Sequence, residues 1–229
     1  LANGTSLRIG GVILAAGLSS RMGRPKQWLP LGGKPLFRHS VEAATQAGLD
    51  PVILVAGGDA EQMARAVADL PVEVIANPDF RLGMSTSLKR GLRTMQGRAD
   101  ACLILLADQP LVSRPLIEAL CHAYLARRAH GTKIVRPLFQ GVPGHPVLVD
   151  ASLFPYYEAL EGDVGGKAIL ERFREAMALL PWGDHRAGVD VDTPEDYRTV
   201  RRWLASEEGE RPDVQKGDQK HREDQKDRE

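Results

Sequence analysis

Cysteine is scarce in this chain. Cys102 and Cys121 are the only two in 229 residues, both lie in apolar surroundings, and no CxxC spacing joins them. They read as core thiols in a reducing compartment, which makes the cytoplasm the expected location. Net charge is absent too: 30 basic side chains balance 30 acidic ones, so nothing draws the chain to nucleic acid or a membrane surface. No apolar run approaches the length of a membrane span, and Leu1 to Arg8 lacks the apolar core of a signal peptide. Two common glycine fingerprints are also missing. No GxGxxG triplet joins a strand to a helix. Gly17 to Gly23 is not spaced as a P-loop, and Arg24 stands where that loop would place its lysine.

What the chain does have is 43% hydrophobic residues, enough for one good core. Short apolar runs at Val12 to Ala15, Val52 to Ala56, Val72 to Ala76, Ala101 to Leu106 and Ile134 to Leu138 read as strands buried on both faces. Amphipathic stretches lie between them: Leu36 to Ala47, Ala60 to Leu70, Ser85 to Met95 and Pro115 to Arg128. Pro115 suits a helix start and Gly48 a helix end. Such alternation predicts an α/β fold with a mostly parallel sheet and helices on both faces, in three layers. From Glu207 onward the chain is almost wholly charged and amide residues, with Val214 its lone aliphatic. Residues 207–229 are therefore expected to be a disordered tail, and residues 1–206 a single domain.

Ligands of such sheets bind beyond the carboxyl ends of the strands. Gly17, Gly57 and Gly58, Asn77 and Asp108 each follow a strand end and should converge on one rim. After Leu138 the alternation loosens into Gly141 to Pro146 and Gly162 to Gly166, and that half is expected to hold a second substrate. The run from Gly11 to Leu36 carries the strongest chemical signal. Gly17 leaves the backbone open to a ligand, Ser19 and Ser20 offer hydroxyls, and Arg21, Arg24 and Lys26 crowd one loop. Backbone N–H groups and fixed cations are what a polyphosphate needs. A solvated basic connection is the plainer alternative.

This run resembles the signature of the MobA-like nucleotidyltransferases, L-A-A-G-x-x-x-R-M-G-x-x-K, at Leu14, Ala15, Ala16, Gly17, Arg21, Met22, Gly23 and Lys26. The resemblance implies a Rossmann-like fold of the nucleotidyltransferase type, with the N-terminal half binding a nucleoside triphosphate and the C-terminal half its acceptor. Other runs follow in the family's order. Asp108 in ADQP ends an apolar strand; alone it could be a turn aspartate before Pro110, but a carboxylate beside a phosphate loop suits Mg²⁺. The resemblance makes it the metal ligand. In VDVDTPEDY, Asp190 and Asp192 alternate onto one face of extended chain, while Thr193 to Asp196 reads as a helix start. The family's matching run implies that Asp190 and Asp192 face metal and acceptor. Asn77 to Gly91 resembles an element that touches base and ribose, which points to Asn77, Gly83, Ser85 and Ser87. PGHPVL and GDVGGK match the molybdenum cofactor cytidylyltransferase branch and place His145, Asp163, Gly165 and Lys167 on the acceptor side. A general-base role for His145 is tempting, but a phosphate nucleophile is already ionised and needs no base.

The resemblance thus implies CMP transfer from CTP to the phosphate of a molybdenum-pterin cofactor. Asp108, Arg21 and Lys26 are the expected catalytic residues. Leu14, Ala15, Ala16, Gly17 and Gly57 join the nucleotide side. Mg²⁺, with Mn²⁺ as its substitute, is expected on Asp108 and Asp190. A recipient molybdoenzyme or its maturation chaperone is the implied protein partner. Ala16, where the guanylyltransferase branch has glycine, narrows the base site toward a pyrimidine. Rival readings remain: that guanylyltransferase branch, the sugar-alcohol phosphate cytidylyltransferases of isoprenoid synthesis, an NAD(P)H-dependent reductase, and cofactor delivery without turnover.

Overall fold

A computed structural model describes residues 7–17, 25–162 and 164–209. In chain order the elements are β1 (Ile9–Leu14), β2 (Pro30–Leu31), β3 (Lys34–Pro35), α1 (Leu36–Gln46), β4 (Val52–Ala56), α2 (Ala60–Ala66), β5 (Glu73–Ala76), α3 (Met84–Met95), β6 (Ala101–Leu106) and α4 (Arg114–Arg127). There follow β7 (Ile134–Phe139), β8 (Val142–Pro143), β9 (Val147–Asp150), α5 (Phe154–Tyr157), α6 (Lys167–Arg172), β10 (Met177–Trp182) and α7 (Pro194–Gly209). The main sheet runs β10-β7-β9-β6-β1-β4-β5, with β8 paired to β7, while β2 and β3 form a separate ribbon. Pairing is parallel from β6 through β5 and between β10 and β7; β9 runs against both neighbours.

Apolar side chains explain the layers. β4 is buried along its whole length, so it cannot alternate polar and apolar residues. One face of the sheet packs on Phe37 and Val41 of α1, Met63 of α2, and Leu116 and Leu120 of α4. The other packs on Leu88 and Leu92 of α3, Phe154 and Tyr157 of α5, and Ile169 of α6. This is the expected three-layer α/β arrangement. Gly91 permits a close contact: a Cβ there would stand 2.5 Å from Val12 Cγ1, so the absent side chain lets α3 lie directly on β1. A smaller core joins Leu29, Leu31 and Leu36 to Val191 and Val200, and this seats α7 against the β2–β3 ribbon.

Several described elements shift by one residue from the sequence reading, and others depart further. β1 starts at Ile9 and stops before Ala15. α2 ends at Ala66, four residues short of Leu70, where the chain turns. β9 and β10 lie in the half whose pattern loosened: β9 has four residues in a proline-bearing stretch, and β10 is only partly buried at the sheet edge. α7 reaches Gly209, past the boundary set at Glu207, and residues 210–229 lie outside the described ones. No helix among the described residues is long and apolar enough to cross a membrane.

Candidate active site

The carboxyl ends of the parallel strands do meet on one rim. Backbone N–H groups knit it: Ala15 to the Val55 carbonyl at 2.9 Å, Asn77 to Ala56 at 2.8 Å, and Ala107 to Leu14 at 3.1 Å. The C-terminal segment joins through the Val191 N–H, which donates to the Asp108 carbonyl at 2.9 Å. The small core beneath α7 thus delivers Asp190 and Asp192 to the end of β6.

Lys26 stands at the centre. It opens a short 3-10 turn, Lys26–Trp28, and is only 9% exposed. Trp28 anchors that turn, edge-on to Phe37 with ring centroids 5.3 Å apart, while its Nε1 donates to Asp59 at 2.6 Å. Gln27 Nε2 donates to the Gly17 carbonyl at 2.9 Å and holds the end of the β1 loop against the turn. Lys26 Nζ donates to Asp108 Oδ2 at 2.7 Å and to Asp192 Oδ1 at 2.6 Å. Burial pulls its pKa down, but the two carboxylates outweigh burial and hold the ammonium above its ordinary value. The loop lysine expected on phosphate therefore bridges two acids here.

Asp190 completes the acidic group. Gln109 Nε2 donates to its Oδ1 at 2.9 Å. Loss of water, then the charges of Asp108 and Asp192, push its pKa up to about 6, against the pull of Gln109 and Lys26. Asp196 shapes the turn behind it, accepting from the Thr193 N–H at 2.8 Å and the Asp192 N–H at 3.2 Å. Thr193 Oγ1 accepts in return from the Asp196 N–H at 3.2 Å. This reciprocal cap confirms the helix-start reading of Thr193 to Asp196 and leaves Asp190 and Asp192 to face the rim.

Among the described residues no trio of His, Cys, Asp or Glu is placed to hold a metal ion by itself. Mg²⁺ needs only one or two carboxylates when phosphate oxygens and water complete its shell. Asp108 Oδ1 is buried with no hydrogen-bond partner, and Asp190 beside it is crowded by like charge. Both are conditions a divalent cation relieves, so Asp108 and Asp190 fit one.

The other described residues expected around the nucleotide lie at the ends of β1, β4 and β5 and at the start of α3. Leu14, Ala15 and Ala16 lie at the end of β1 with little exposure, and Gly83 turns into α3 with φ 111°. Gly57 is covered by the Phe80 ring, 3.3 Å from where a Cβ would stand. Asn77 Nδ2 donates to Thr86 Oγ1 and Ser87 Oγ, each at 2.9 Å, and both Asn77 and Ser87 are buried. These bonds fix the start of α3 to the end of β5. Ser85 is fully buried with its Oγ unpartnered. Arg21 and Asp163 lie outside the described residues.

The acceptor residues divide into two groups. His145, Gly165 and Lys167 line a cavity of about 350 Å³ between α3, α6 and the sheet. Asp190 and Asp192 stand apart from it, with Asp108 and Lys26. His145 is half-buried, with Nδ1 unpartnered. Burial, then the charge of Arg136, lowers its pKa to about 4, although Ile104 and Asp108 oppose the shift, so the ring is neutral at physiological pH. Sequence reasoning missed Gln109, Arg136 and Tyr157. Gln109 was in view within ADQP without a role. Arg136 had a signal, a lone charge inside an apolar strand, while Tyr157 had none beyond its aromatic ring.

The MobA-like NTP transferase domain matches residues 11–178. PucB, a purine catabolism protein of Bacillus subtilis (strain 168), is 32% identical over 85% of this chain and 97% of its own. The nicotine blue oxidoreductase of Paenarthrobacter nicotinovorans is 29% identical, covering 83% and 95%. The molybdenum cofactor cytidylyltransferase of Escherichia coli (strain K12) is 28% identical, covering 83% and 94%. Among solved structures, Rv0371c of Mycobacterium tuberculosis H37Rv superposes with a TM-score of 0.74 at 30% identity, covering 86% of this chain and 99% of its own. A complex of Rv0371C with manganese matches at a TM-score of 0.68 and 28% identity, covering 85% and 98%. With its rim, its acidic group and this likeness along most of its length, the chain belongs to the MobA-like NTP transferase family and is a nucleotidyltransferase of that family.

Proposed function

We propose that the chain transfers CMP from CTP to the phosphate of a molybdenum-pterin cofactor, releasing pyrophosphate. The observation that carries this reading is the convergence of Asp108, Asp190 and Asp192 on Lys26 at the strand rim, in a domain that also holds a cavity of substrate size. An acceptor phosphate oxygen attacks the α-phosphorus of CTP; the new P–O bond forms as the bond to the β-phosphate oxygen breaks. A divalent cation on Asp108 and Asp190, Mg²⁺ or Mn²⁺, would neutralise charge building on the phosphate oxygens. Lys26 is fixed beside those acids and can pass its N–H donors to phosphate once nucleotide arrives, with Arg21 the proposed second cation. Gln109 orients Asp190, and the cap at Thr193 and Asp196 orients Asp192. Positioning and electrostatics supply the catalysis. Ala16 favours cytosine over a purine by steric fit, worth roughly tens- to hundreds-fold.

The test is to incubate the full chain with Mg²⁺, reduced pterin cofactor and each nucleoside triphosphate separately, and to measure pyrophosphate. CTP should give product at the highest rate. Equal use of GTP overturns the base assignment, and release with a sugar-alcohol phosphate alone overturns the acceptor. The likeness to nicotine blue oxidoreductase favours a second reading, dye reduction by NAD(P)H. The missing GxGxxG run argues against it, and oxidation of NAD(P)H by the chain with dye would support it.

A further inference from the structure

The cavity holds a charge to which the reaction above assigns no role. Arg136 sits within β7, where the other residues of Ile134–Phe139 are apolar, and its side chain lines the cavity wall. Its Nε donates to the Gly144 carbonyl at 3.1 Å and its Nη2 to the Pro143 carbonyl at 3.0 Å. These carbonyls orient the guanidinium without neutralising it. Among the described residues no carboxylate pairs with it, and loss of water lowers its pKa from the ordinary arginine value. A half-buried cation without a counter-ion is costly, and the cost is removed when a ligand brings the anion. The guanidinium still has unused N–H donors on Nη1 and Nη2. Lys167 lines the same cavity as a second cation, His145 and Tyr157 add polar atoms, and Leu88, Ile104 and Leu170 give it an apolar side.

Resting on the reading of this cavity as the acceptor site, we propose that Arg136 is the specificity-determining anchor of the acceptor. It grips a phosphomonoester borne on a flat or apolar body. A planar fork matches phosphate oxygens bidentately, and two lining cations suit a dianion better than a single carboxylate.

The test uses the full chain and calorimetric titration with phenyl phosphate, phenol and CTP. Phenyl phosphate should bind the parent at least about tenfold more tightly than phenol, the range of hydrogen bonds to a charged group. Arg136→Gln should lose about tenfold or more in phenyl phosphate affinity and none in CTP affinity. Arg136→Lys should fall between, because a point charge does not replace the fork. Equal binding of phenol and phenyl phosphate by the parent overturns the proposal. So does phenyl phosphate binding untouched by Arg136→Gln, or a parallel loss of CTP affinity. If Arg136→Gln does not fold, the parent comparison and Arg136→Lys decide. The two readings separate cleanly. Arg136-dependent phenyl phosphate binding in a chain that makes no cytidylyl product keeps the anchor and removes the proposed reaction. Cytidylyl product from Arg136→Gln at the parental acceptor KM removes the anchor and keeps the reaction.

Discussion

Asp108 contributes two oxygens with different circumstances. Oδ2 is held by Lys26, while Oδ1 is buried and unpartnered. Asp108→Asn keeps the shape and removes the charge. Turnover should fall by roughly two or more orders of magnitude, as when a group that stabilises transition-state charge is lost, with the melting temperature nearly unchanged; pyrophosphate release and a thermal scan measure the two. His145 makes a prediction about stability. Its folded pKa is about 4, against 6.5 for the free side chain. In that window the unfolded chain takes up a proton that the folded chain refuses, so stability is complete above the window and declines as pH falls through it. His145→Gln should flatten that decline. Urea midpoints for parent and variant across the window check it, and identical pH slopes would count against a buried neutral histidine.

At the scale of elements, the turn before α7 matters most. Asp196 holds the N–H groups of Asp192 and Thr193, and so couples the helix start to the carboxylates at the rim. Asp196→Ala should destabilise the fold by about 1 kcal/mol, the usual cost of a lost cap, and should slow turnover by loosening Asp192. Asp196→Asn keeps one acceptor oxygen and should recover part of both losses, read from denaturant midpoints and pyrophosphate release. This cap was legible in TPED, because capping is local. The bond from Lys26 to Asp192 was not legible, because it depends on the small core that docks α7 near the β2–β3 ribbon. The bond between Asn77 and Ser87 was not legible either, because it depends on where α3 docks at the end of β5. β4 and β6 were readable residue for residue because both are continuous apolar runs. β9 was not, since four residues among prolines carry too little periodicity.

At the scale of the molecule, residues 11–178 carry the family match, and the segment leading into α7 adds Asp190 and Asp192 from beyond it. The charged stretch that follows has the composition of a segment unable to build a core. Removal of residues 210–229, which spares α7, should leave the melting temperature and pyrophosphate release essentially unchanged. A large loss in either would mean that the stretch docks on the domain. The reversed strand β9 has a wider consequence. Because it opposes β6, with Val147 across from Ile104, its beginning rather than its end lies toward the rim. The loop ahead of it, Gly141 to Pro146, therefore enters the cleft from a connection that the nucleotide-side strands do not share. Evolution can lengthen, shorten or recolour that loop without altering the four neighbouring parallel strands. A lineage could in this way keep its donor chemistry while exchanging acceptors, and relatives with such different occupations could descend from one ancestor by editing a single corner of the sheet.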